Sequence, residues 1–211
     1  MTAQSPPGSP LLVLDRLSKR YTRGVFRHRT TFSLEVDMTF AGPEIIGMMG
    51  PNGAGKTTLF EMMTGSNEPT SGRVLCAGQD IHRVKYRQRG RLAIHYHQSY
   101  QVRKMRRRIP SFLLESAGSD YPRVHLFDEP QFNTQDGYIG FMLDFFRRLR
   151  RDGRLVFVCL HPTAGYHLDI LKEVCERFLF VAEGTVSTAR DFASFSSDVR
   201  VARYLDRLAP A

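Results

Sequence analysis

The sequence predicts an α/β fold in which a mainly parallel core sheet is flanked by helices. From Lys56 onward, strand-like runs alternate with helical periodicity, which is typical of a parallel sheet with crossover helices. Three strand-like runs crowd into the first quarter of the chain, and the antiparallel strands there predict a second, smaller sheet, a β-subdomain. With 211 residues, 42% of them hydrophobic, the chain is long enough to bury one sizeable core.

The predicted elements follow one another along the chain with few interruptions. The early strands are LLVLDRL, TFSLEVDMTF and EIIGMMG, and a helix then starts at Lys56. Strands are predicted at RVLCAG, RLAIHYH and RVHLFD, followed by a helix over residues 135–151 and the strand RLVFVCL. A helix over YHLDILKEVCERF, a hairpin through FLFVAEGTVST and a final amphipathic helix complete the order. Residues 1–10 are predicted to be a disordered leader, because they are polar and rich in proline and serine.

Charge and cysteine content narrow the class of protein. The formal net charge of +9 favours polyanionic partners, among them nucleotide phosphates, nucleic acid and anionic lipid. The leader lacks the order of a signal peptide, and no apolar run approaches the ~18 residues of a membrane span. Three cysteines without paired or metal-ligand spacing predict reduced thiols in the core of a cytosolic protein.

The motif GPNGAGKTT predicts a phosphate-binding loop of the P-loop type. It follows the strand EIIGMMG and opens a helix, which is the context such a loop requires. Gly50, Gly53 and Gly55 permit backbone angles that turn successive N–H groups towards an anion, backed by the helix dipole. Lys56 can then reach the outer phosphates of a nucleotide, and the Thr57 hydroxyl can ligate Mg²⁺.

The motif RVHLFDEP supplies the carboxylates that such a loop needs. Asp128 ends an apolar strand and can complete the Mg²⁺ shell. Glu129 follows directly and can polarise an attacking water. A surface Asp-Glu pair at the end of a buried strand is the alternative interpretation of the same two residues.

Taken together, these motifs resemble the nucleotide-binding subunit of ATP-binding cassette (ABC) transporters over about residues 11–188. LSKRYTRG is similar to the family's first strand, GPNGAGKTT to its Walker A motif, and EPTSGRVLCAGQDI to the segment after it. RLAIHYHQ resembles the strand and Q-loop, HLFDEP the Walker B motif with the catalytic glutamate, and VFVCLHP the strand before the switch histidine. The resemblance implies a P-loop NTPase fold of the ABC ATPase type, with an ABC-type nucleotide-binding domain at residues 11–190 and a C-terminal helical tail at 191–211.

The resemblance also implies a role for each matching residue. Glu129, His161 and Gln98 would be catalytic, and Thr57, Gln98 and Asp128 would surround Mg²⁺. The residues implied to contact ATP are Tyr21, which would stack on the adenine, and Gly50, Pro51, Asn52, Gly53, Ala54, Gly55, Lys56, Thr57 and Thr58. Each role is chemically reasonable: a phenol offers a flat π-face, an amide oxygen can ligate Mg²⁺, and an imidazole can donate to a phosphate oxygen.

The chain departs from the family between Gln98 and Asp128. Only about thirty residues separate the two, which is too few for the family's helical subdomain, so that subdomain is predicted to be reduced. The alignment places QVRKM where the family has its LSGGQ signature, and neither the serine nor the glycine pair is present. Near the D-loop, Gln135 stands where the family has an apolar residue, which argues against ordinary symmetrical dimerisation.

The sequence therefore predicts a cytoplasmic ATPase subunit of an ABC transporter, held on the inner face of the membrane through a permease. A second ABC ATPase subunit is expected as partner, with a different chain favoured over a second copy, and activity alone is expected to be weak. The alternative is a soluble ABC-type ATP-binding protein that regulates an assembly or associates with nucleic acid. The basic run Arg103–Arg108 is compatible with anionic lipid headgroups, whereas the lack of aromatic platforms beside it disfavours nucleic acid.

Overall fold

A computed structural model describes residues 9–23, 29–97, 122–130, 132, 138–162 and 165–208 of the chain. Gln98, the basic run Arg103–Arg108, the QVRKM segment, Gln135 and the first eight residues lie outside this part. The strands are β1 (Leu12–Arg23), β2 (Arg29–Phe40), β3 (Ile45–Met49), β4 (Ser71–Cys76), β5 (Gln79–Asp80), β6 (Ala93–His97), β7 (Val124–Asp128), β8 (Leu155–Cys159), β9 (Arg177–Ala182) and β10 (Thr185–Ala189). The helices are α1 (Lys56–Met63), α2 (Tyr86–Leu92), α3 (Tyr138–Arg151), α4 (Gly165–Val174), α5 (Phe192–Ser197) and α6 (Val199–Asp206).

All ten described strands belong to one sheet with the order β5-β4-β1-β2-β10-β9-β3-β8-β7-β6. The strands β9, β3, β8, β7 and β6 pair in parallel, and each of β3, β7 and β8 is buried along its whole length. Near-continuous apolar strands are what a parallel sheet covered on both faces requires. The predicted α/β fold with its mainly parallel core is confirmed.

The antiparallel part joins the same sheet instead of forming the separate second sheet that the sequence predicted. Strands β1, β2, β4 and β5 pair antiparallel with one another, as expected. The link to the core is the β9–β10 hairpin, whose Thr185 pairs with Glu35 of β2. The Glu35 amide donates to the carbonyl oxygen of Gly184 over 2.8 Å. Sequence periodicity could not reveal this junction, because it depends on one contact between segments far apart in the chain.

Two hydrophobic clusters form a core on the two faces of the sheet. One contains α1 and the apolar residues of the antiparallel strands, with Phe60 and Phe157 as large buried members. The other lies beneath α3, α4, α5 and α6, where Phe145, Phe146 and Phe178 are among the buried aromatic rings. The C-terminal helices therefore pack on the core, and they bring Phe195, Val201 and Tyr204 into the second cluster.

Two of the three cysteines lie in the core, as predicted. Cys76, Cys159 and Cys175 are all unpaired, and the first two are buried. Burial raises the pKa of the Cys76 thiol to about 12, so this side chain stays neutral and behaves as a small apolar residue. None of the described helices is long and apolar enough to cross a membrane.

Candidate functional site at the carboxyl edge of the sheet

Three neighbouring strands place the predicted phosphate-binding and catalytic segments at one edge of the sheet. Parallel strand β8 lies between β3 and β7, so the carboxyl ends of all three meet there. The loop 50–55 follows β3, Asp128 ends β7, and His161 stands two residues after the end of β8. Crevices at the carboxyl ends of parallel strands are the usual ligand sites of open α/β sheets.

The loop after β3 owes its shape to glycines that are needed for different reasons. A Cβ on Gly50 would lie 2.1 Å from the carbonyl oxygen of Val181 in β9, so only glycine allows this close approach of two backbones. Gly53 has open space around it but a φ of 76°, a left-handed conformation that favours glycine. Gly55 caps α1 with a φ of 103°, and a Cβ there would lie 2.6 Å from the ring of Phe32.

Lys56 is the first residue of α1 and its side chain folds back over the loop. The ammonium group donates to the carbonyl oxygens of Gly50 and Pro51 over 2.7 and 2.9 Å, and the residue is only 7% exposed. A buried ammonium requires such partners, since an unpaired charge away from water is costly. The cation is thereby held at the mouth of the loop, beside the first turn of α1.

The Thr57 hydroxyl donates to Oδ2 of Asp128 over 2.9 Å, which joins the loop to the end of β7. The carboxylate is 3% exposed. A hydroxyl and a carboxylate are both hard oxygen donors, the class that Mg²⁺ prefers. The residues predicted at positions 57 and 128 as metal neighbours therefore lie together and fit a magnesium ion by their chemistry.

His95 is a further neighbour of this carboxylate that was not among the predicted site residues. Its Nε2 lies 3.2 Å from Asp128 Oδ2, and its ring packs edge-on against Phe60 with centroids 5.5 Å apart. The parallel register pairs residue 97 with Asp128, so His95 lies two positions earlier on the same face of the sheet. The alternation of His95 and His97 in the strand RLAIHYH was the available signal.

Glu129 has backbone geometry that is unusual for a side chain of its size. Its φ is 51°, and its amide donates to the carbonyl oxygen of Cys159 over 2.9 Å. Left-handed backbone at a non-glycine residue costs of order 1–3 kcal/mol and occurs often at functional sites. The turn directs the chain away from β7 immediately after Asp128.

Cys159 lies at the end of β8 beside these acidic residues. The pKa of its thiol is raised well above the ordinary value, first by burial and then by the negative charge of Asp128. The thiol is therefore neutral, and it contributes packing without adding charge to the site.

His161 is hydrogen-bonded to a residue of the C-terminal helix. The hydroxyl of Tyr204 lies 3.1 Å from Nδ1 of His161. The imidazole is partly exposed, whereas Tyr204 is 9% exposed. The sequence predicted the tail as a separate helical segment and did not predict this contact.

Tyr21, the predicted adenine platform, lies on β1 and is 41% exposed. Its ring packs against Phe32 with centroids 5.5 Å apart, and Phe32 in turn contacts the loop at Gly55. The Lys19 ammonium lies 5.0 Å from the ring centroid, and Asn67 donates to the phenolic oxygen over 2.8 Å. The ring of Phe32 therefore links Tyr21 to the predicted phosphate-binding loop.

The structure places Tyr21, the loop 50–55, Lys56 and Thr57 in one neighbourhood and brings Thr57 to Asp128. Thr58 lies in the first turn of α1, next to Thr57. Glu129 and His161 lie at the same edge of the sheet. Gln98 is outside the described residues, so its predicted place beside the metal stays a prediction.

The fold and this arrangement are those of a P-loop domain with the architecture of ABC ATPases. Residues 34–111 match the family model described as ABC transporter. The chain is 36% identical over 88 residues to the lipopolysaccharide export system ATP-binding protein LptB of Acidithiobacillus ferridurans, covering 42% of this chain and 34% of that protein. The predicted resemblance to the ATP-binding subunits of ABC transporters is confirmed.

Solved structures show the same fold. The ATP-binding cassette MJ0796, in a dimeric post-hydrolysis state with ADP and Pi, matches with a TM-score of 0.63 at 16% identity, over 85% of this chain and 98% of that one. A bacterial Atm1-family ABC exporter with ATP bound matches with a TM-score of 0.69 at 16% identity, over 98% of this chain and 44% of that one. The sequence matches span about a third or less of the curated relatives.

Proposed function

We propose that this chain binds ATP with Mg²⁺ and hydrolyses it as the ATP-binding subunit of an ABC transporter. The observation that carries the proposal is the 2.9 Å hydrogen bond between Thr57 and Asp128, because it joins the phosphate-type loop to the carboxylate at the end of β7. Those two groups supply the hard oxygen ligands that a nucleotide-bound magnesium ion requires. The resemblance to LptB and to the ABC transporter family model supports the same assignment.

The loop residues 50–58 hold the phosphates. The amides of the loop and the positive end of α1 attract the negative charge, and the Lys56 ammonium exchanges its two carbonyl partners for phosphate oxygens. Because the carbonyl oxygens are replaced by phosphate oxygens, the buried ammonium has hydrogen-bond partners both before and after nucleotide binding. Tyr21 provides an aromatic face for the adenine.

Glu129, His161 and Gln98 serve the hydrolytic step. Glu129 orients the attacking water and accepts its proton, and His161 donates a hydrogen bond to the terminal phosphate as its charge develops. Gln98 lies beside the metal and water in this scheme. Bound magnesium supplies neutralisation of phosphate charge, while the protein residues orient the reacting groups.

The chain acts with other subunits. A polytopic permease holds it at the cytoplasmic face of the membrane, and ATP binding and hydrolysis energise or gate that permease. A second ABC ATPase subunit, a different chain in preference to a second copy, faces this chain's Walker motifs with an intact signature. The absence of serine and of a glycine pair in QVRKM supports this division of labour.

Calorimetric titration of MgATP tests the binding part of the proposal. Wild-type protein is compared with Lys56→Ala, which removes the cation at the loop, and with Lys172→Ala, which removes an exposed cation of α4 whose partner is Asp169. We expect Lys56→Ala to weaken MgATP binding at least tenfold, because charge-assisted phosphate contacts are strong, and Lys172→Ala to bind like wild type. Equal affinities for all three proteins would overturn the assignment.

The transporter part is tested by membrane fractionation. The protein should sediment with membranes when it is co-expressed with its permease and stay in the supernatant without it. Genes adjacent to this one are the source of candidate permeases. Sedimentation that is independent of every co-expressed polytopic protein contradicts this part alone.

A further inference from the structure

The C-terminal tail makes a polar contact with the segment that follows β8. Tyr204 lies 43 positions after His161, and its hydroxyl is 3.1 Å from the Nδ1 atom of the imidazole. The ring centroids of the two side chains are 6.4 Å apart, with a tilt of 59°. Contact through the hydroxyl, rather than stacking of the rings, therefore links α6 to His161.

The position of Tyr204 is determined by its packing. Its ring lies 5.5 Å from that of Phe180 in β9, and Val201, one turn earlier on α6, is 1% exposed. Asp198 caps the N-terminus of α6 by accepting from the amide of Arg200 over 2.8 Å. A capped helix with two buried side chains holds the phenol in one place, so the hydroxyl is presented to His161 from a rigid element.

The chemistry of the pair allows the phenol to be the donor in this hydrogen bond. Burial, with smaller effects of Cys159 and Glu129, raises the pKa of the Tyr204 phenol to about 12, so it remains protonated. A protonated phenol can donate to the unprotonated nitrogen of a neutral imidazole, and the other ring nitrogen then carries the hydrogen. That hydrogen is the one that an imidazole needs to donate to a phosphate oxygen.

We propose that Tyr204 is a positioning residue that donates to Nδ1 of His161 and so holds the imidazole in one orientation with its hydrogen on Nε2. The C-terminal helix thereby sets how well His161 can contact the terminal phosphate. This inference rests on the role proposed above for His161.

Nitrogen-15 NMR of the imidazole side chains tests the proposal directly. The spectra are recorded at pH 8, above the ordinary imidazole pKa of about 6.5, on wild type and Tyr204→Phe. In wild type we expect hydrogen on Nε2 of His161 and an Nδ1 resonance shifted by an accepted hydrogen bond. In Tyr204→Phe the Nδ1 resonance should move to that of an imidazole acceptor without a protein donor, and ring relaxation should show greater motion.

Tyr96→Phe is a matched control. The Tyr96 hydroxyl lies 3.1 Å from Nδ1 of His125, so this variant removes the same kind of bond inside the core, away from His161. We expect Tyr96→Phe to leave the His161 resonances unchanged, although it lowers the melting temperature at least as much as Tyr204→Phe. A wild-type hydrogen on Nδ1, or His161 resonances unaltered by Tyr204→Phe, would overturn the inference.

A second measurement separates this inference from the proposed function. In the transporter complex, Tyr204→Phe should leave MgATP affinity within about twofold and reduce turnover about tenfold or more, the usual scale for losing an orienting hydrogen bond. If the NMR spectra change but turnover does not, the bond between Tyr204 and His161 does not affect how His161 contacts the terminal phosphate, and that part of the inference is wrong. Failure of wild-type protein to bind MgATP would instead overturn the proposed function, while the NMR result on the Tyr204–His161 bond would stand.

Discussion

Nε2 of His95 lies 3.2 Å from Oδ2 of Asp128, the same oxygen that accepts the Thr57 hydroxyl bond. The imidazole is nearly buried and rests against Phe60, so it has little freedom to turn. Partners of a metal-ligating carboxylate orient it, and their loss typically reduces metal affinity 10- to 100-fold. His95 on β6 is therefore the third element of the candidate metal neighbourhood, beside Thr57 on α1 and Asp128 on β7.

We expect His95→Leu to weaken the binding of Mg²⁺ to the protein–nucleotide complex. The variant removes the donor but keeps an apolar side chain against Phe60, so the carboxylate loses orientation without a large change in packing. Magnesium titrations monitored by nucleotide fluorescence should show at least a tenfold loss of metal affinity, with nucleotide binding in EDTA unchanged. His95→Gln retains an N–H donor and should recover part of the loss. Identical magnesium titrations for wild type and His95→Leu would contradict this prediction.

The loop and the acidic strand end could be predicted from sequence because they are local patterns. GPNGAGKTT requires only that a strand precede it and a helix follow it, and β3 and α1 satisfy this condition. Asp128 could be placed at the strand end for the same reason. In each case the determining residues lie within one turn or strand of the residue that they position.

The contacts of His95 and Tyr204 could not be predicted in this way. His95 meets Asp128 because β6 lies beside β7 in a given register, and this pairing joins segments 33 residues apart. Tyr204 meets His161 because α6 packs on β9. Lateral strand order and helix docking depend on packing over the whole domain, which hydrophobic periodicity along the chain does not specify.

The Gly50→Ala variant should unfold more easily than wild type. The added Cβ would lie 2.1 Å from the Val181 carbonyl oxygen, so the two backbones must move apart directly after the last residue pair of β3 and β9, Met49 and Phe180. Overpacking of this kind costs roughly 1–3 kcal/mol. Urea denaturation followed by circular dichroism measures the loss in the free energy of unfolding.

Gly90→Ala is the comparison for this variant. Gly90 lies within α2, and a Cβ there meets nothing within 4 Å. Alanine is favoured over glycine in a helix by up to about 1 kcal/mol, so this variant should be as stable as wild type or more stable. If both glycine variants lose stability equally, the close approach at Gly50 is not the cause.

The buried His125 should make the protein less stable at mildly acidic pH. Burial, reinforced by the positive charge of Arg154, lowers the pKa of this imidazole from 6.5 to about 3. Between these values the unfolded chain binds a proton that the folded chain does not, so stability is lost as the pH falls below 6.5. The free energy of unfolding should fall by about 1 kcal/mol from this group as the pH drops from 6 to 5.

The measurement is urea unfolding of wild type and His125→Leu at several pH values between 7 and 5. His125→Leu removes the titrating group together with its contact to Tyr96, so its free energy of unfolding should be lower at pH 7 but vary less with pH. The difference in slope is the informative quantity, since other groups titrate in both proteins. Equal slopes would show that His125 does not remain neutral on folding.

The Glu129→Gln variant should bind MgATP normally and fail to turn it over. Glutamine has the same size and can occupy the same left-handed backbone position, where φ is 51°. It lacks the carboxylate that accepts a proton from water, and loss of such a base typically reduces the rate ~10²–10⁴-fold. Rapid-quench measurement of phosphate release in a complete transporter complex checks this prediction, with calorimetric binding as the control. Wild-type turnover by the variant would assign the base to another residue.

The isolated chain should bind MgATP but hydrolyse it very slowly. The resemblance to ABC ATPases implies that hydrolysis needs a signature loop from the opposite subunit. The segment QVRKM lacks the serine and the glycine pair of that loop. Loss of a single preorganised donor at such a site costs ~10²–10³ in rate, about 2.7–4 kcal/mol.

Two copies of this chain would each present the same defective half-site to the other. Addition of a cassette with an intact signature should therefore restore turnover, whereas more of the same chain should not. The measurement is steady-state phosphate release from monodisperse protein, alone and with the partner. Vigorous hydrolysis by the isolated chain that disappears in Glu129→Gln would show that a working site forms without the signature, and that the alignment of QVRKM is wrong.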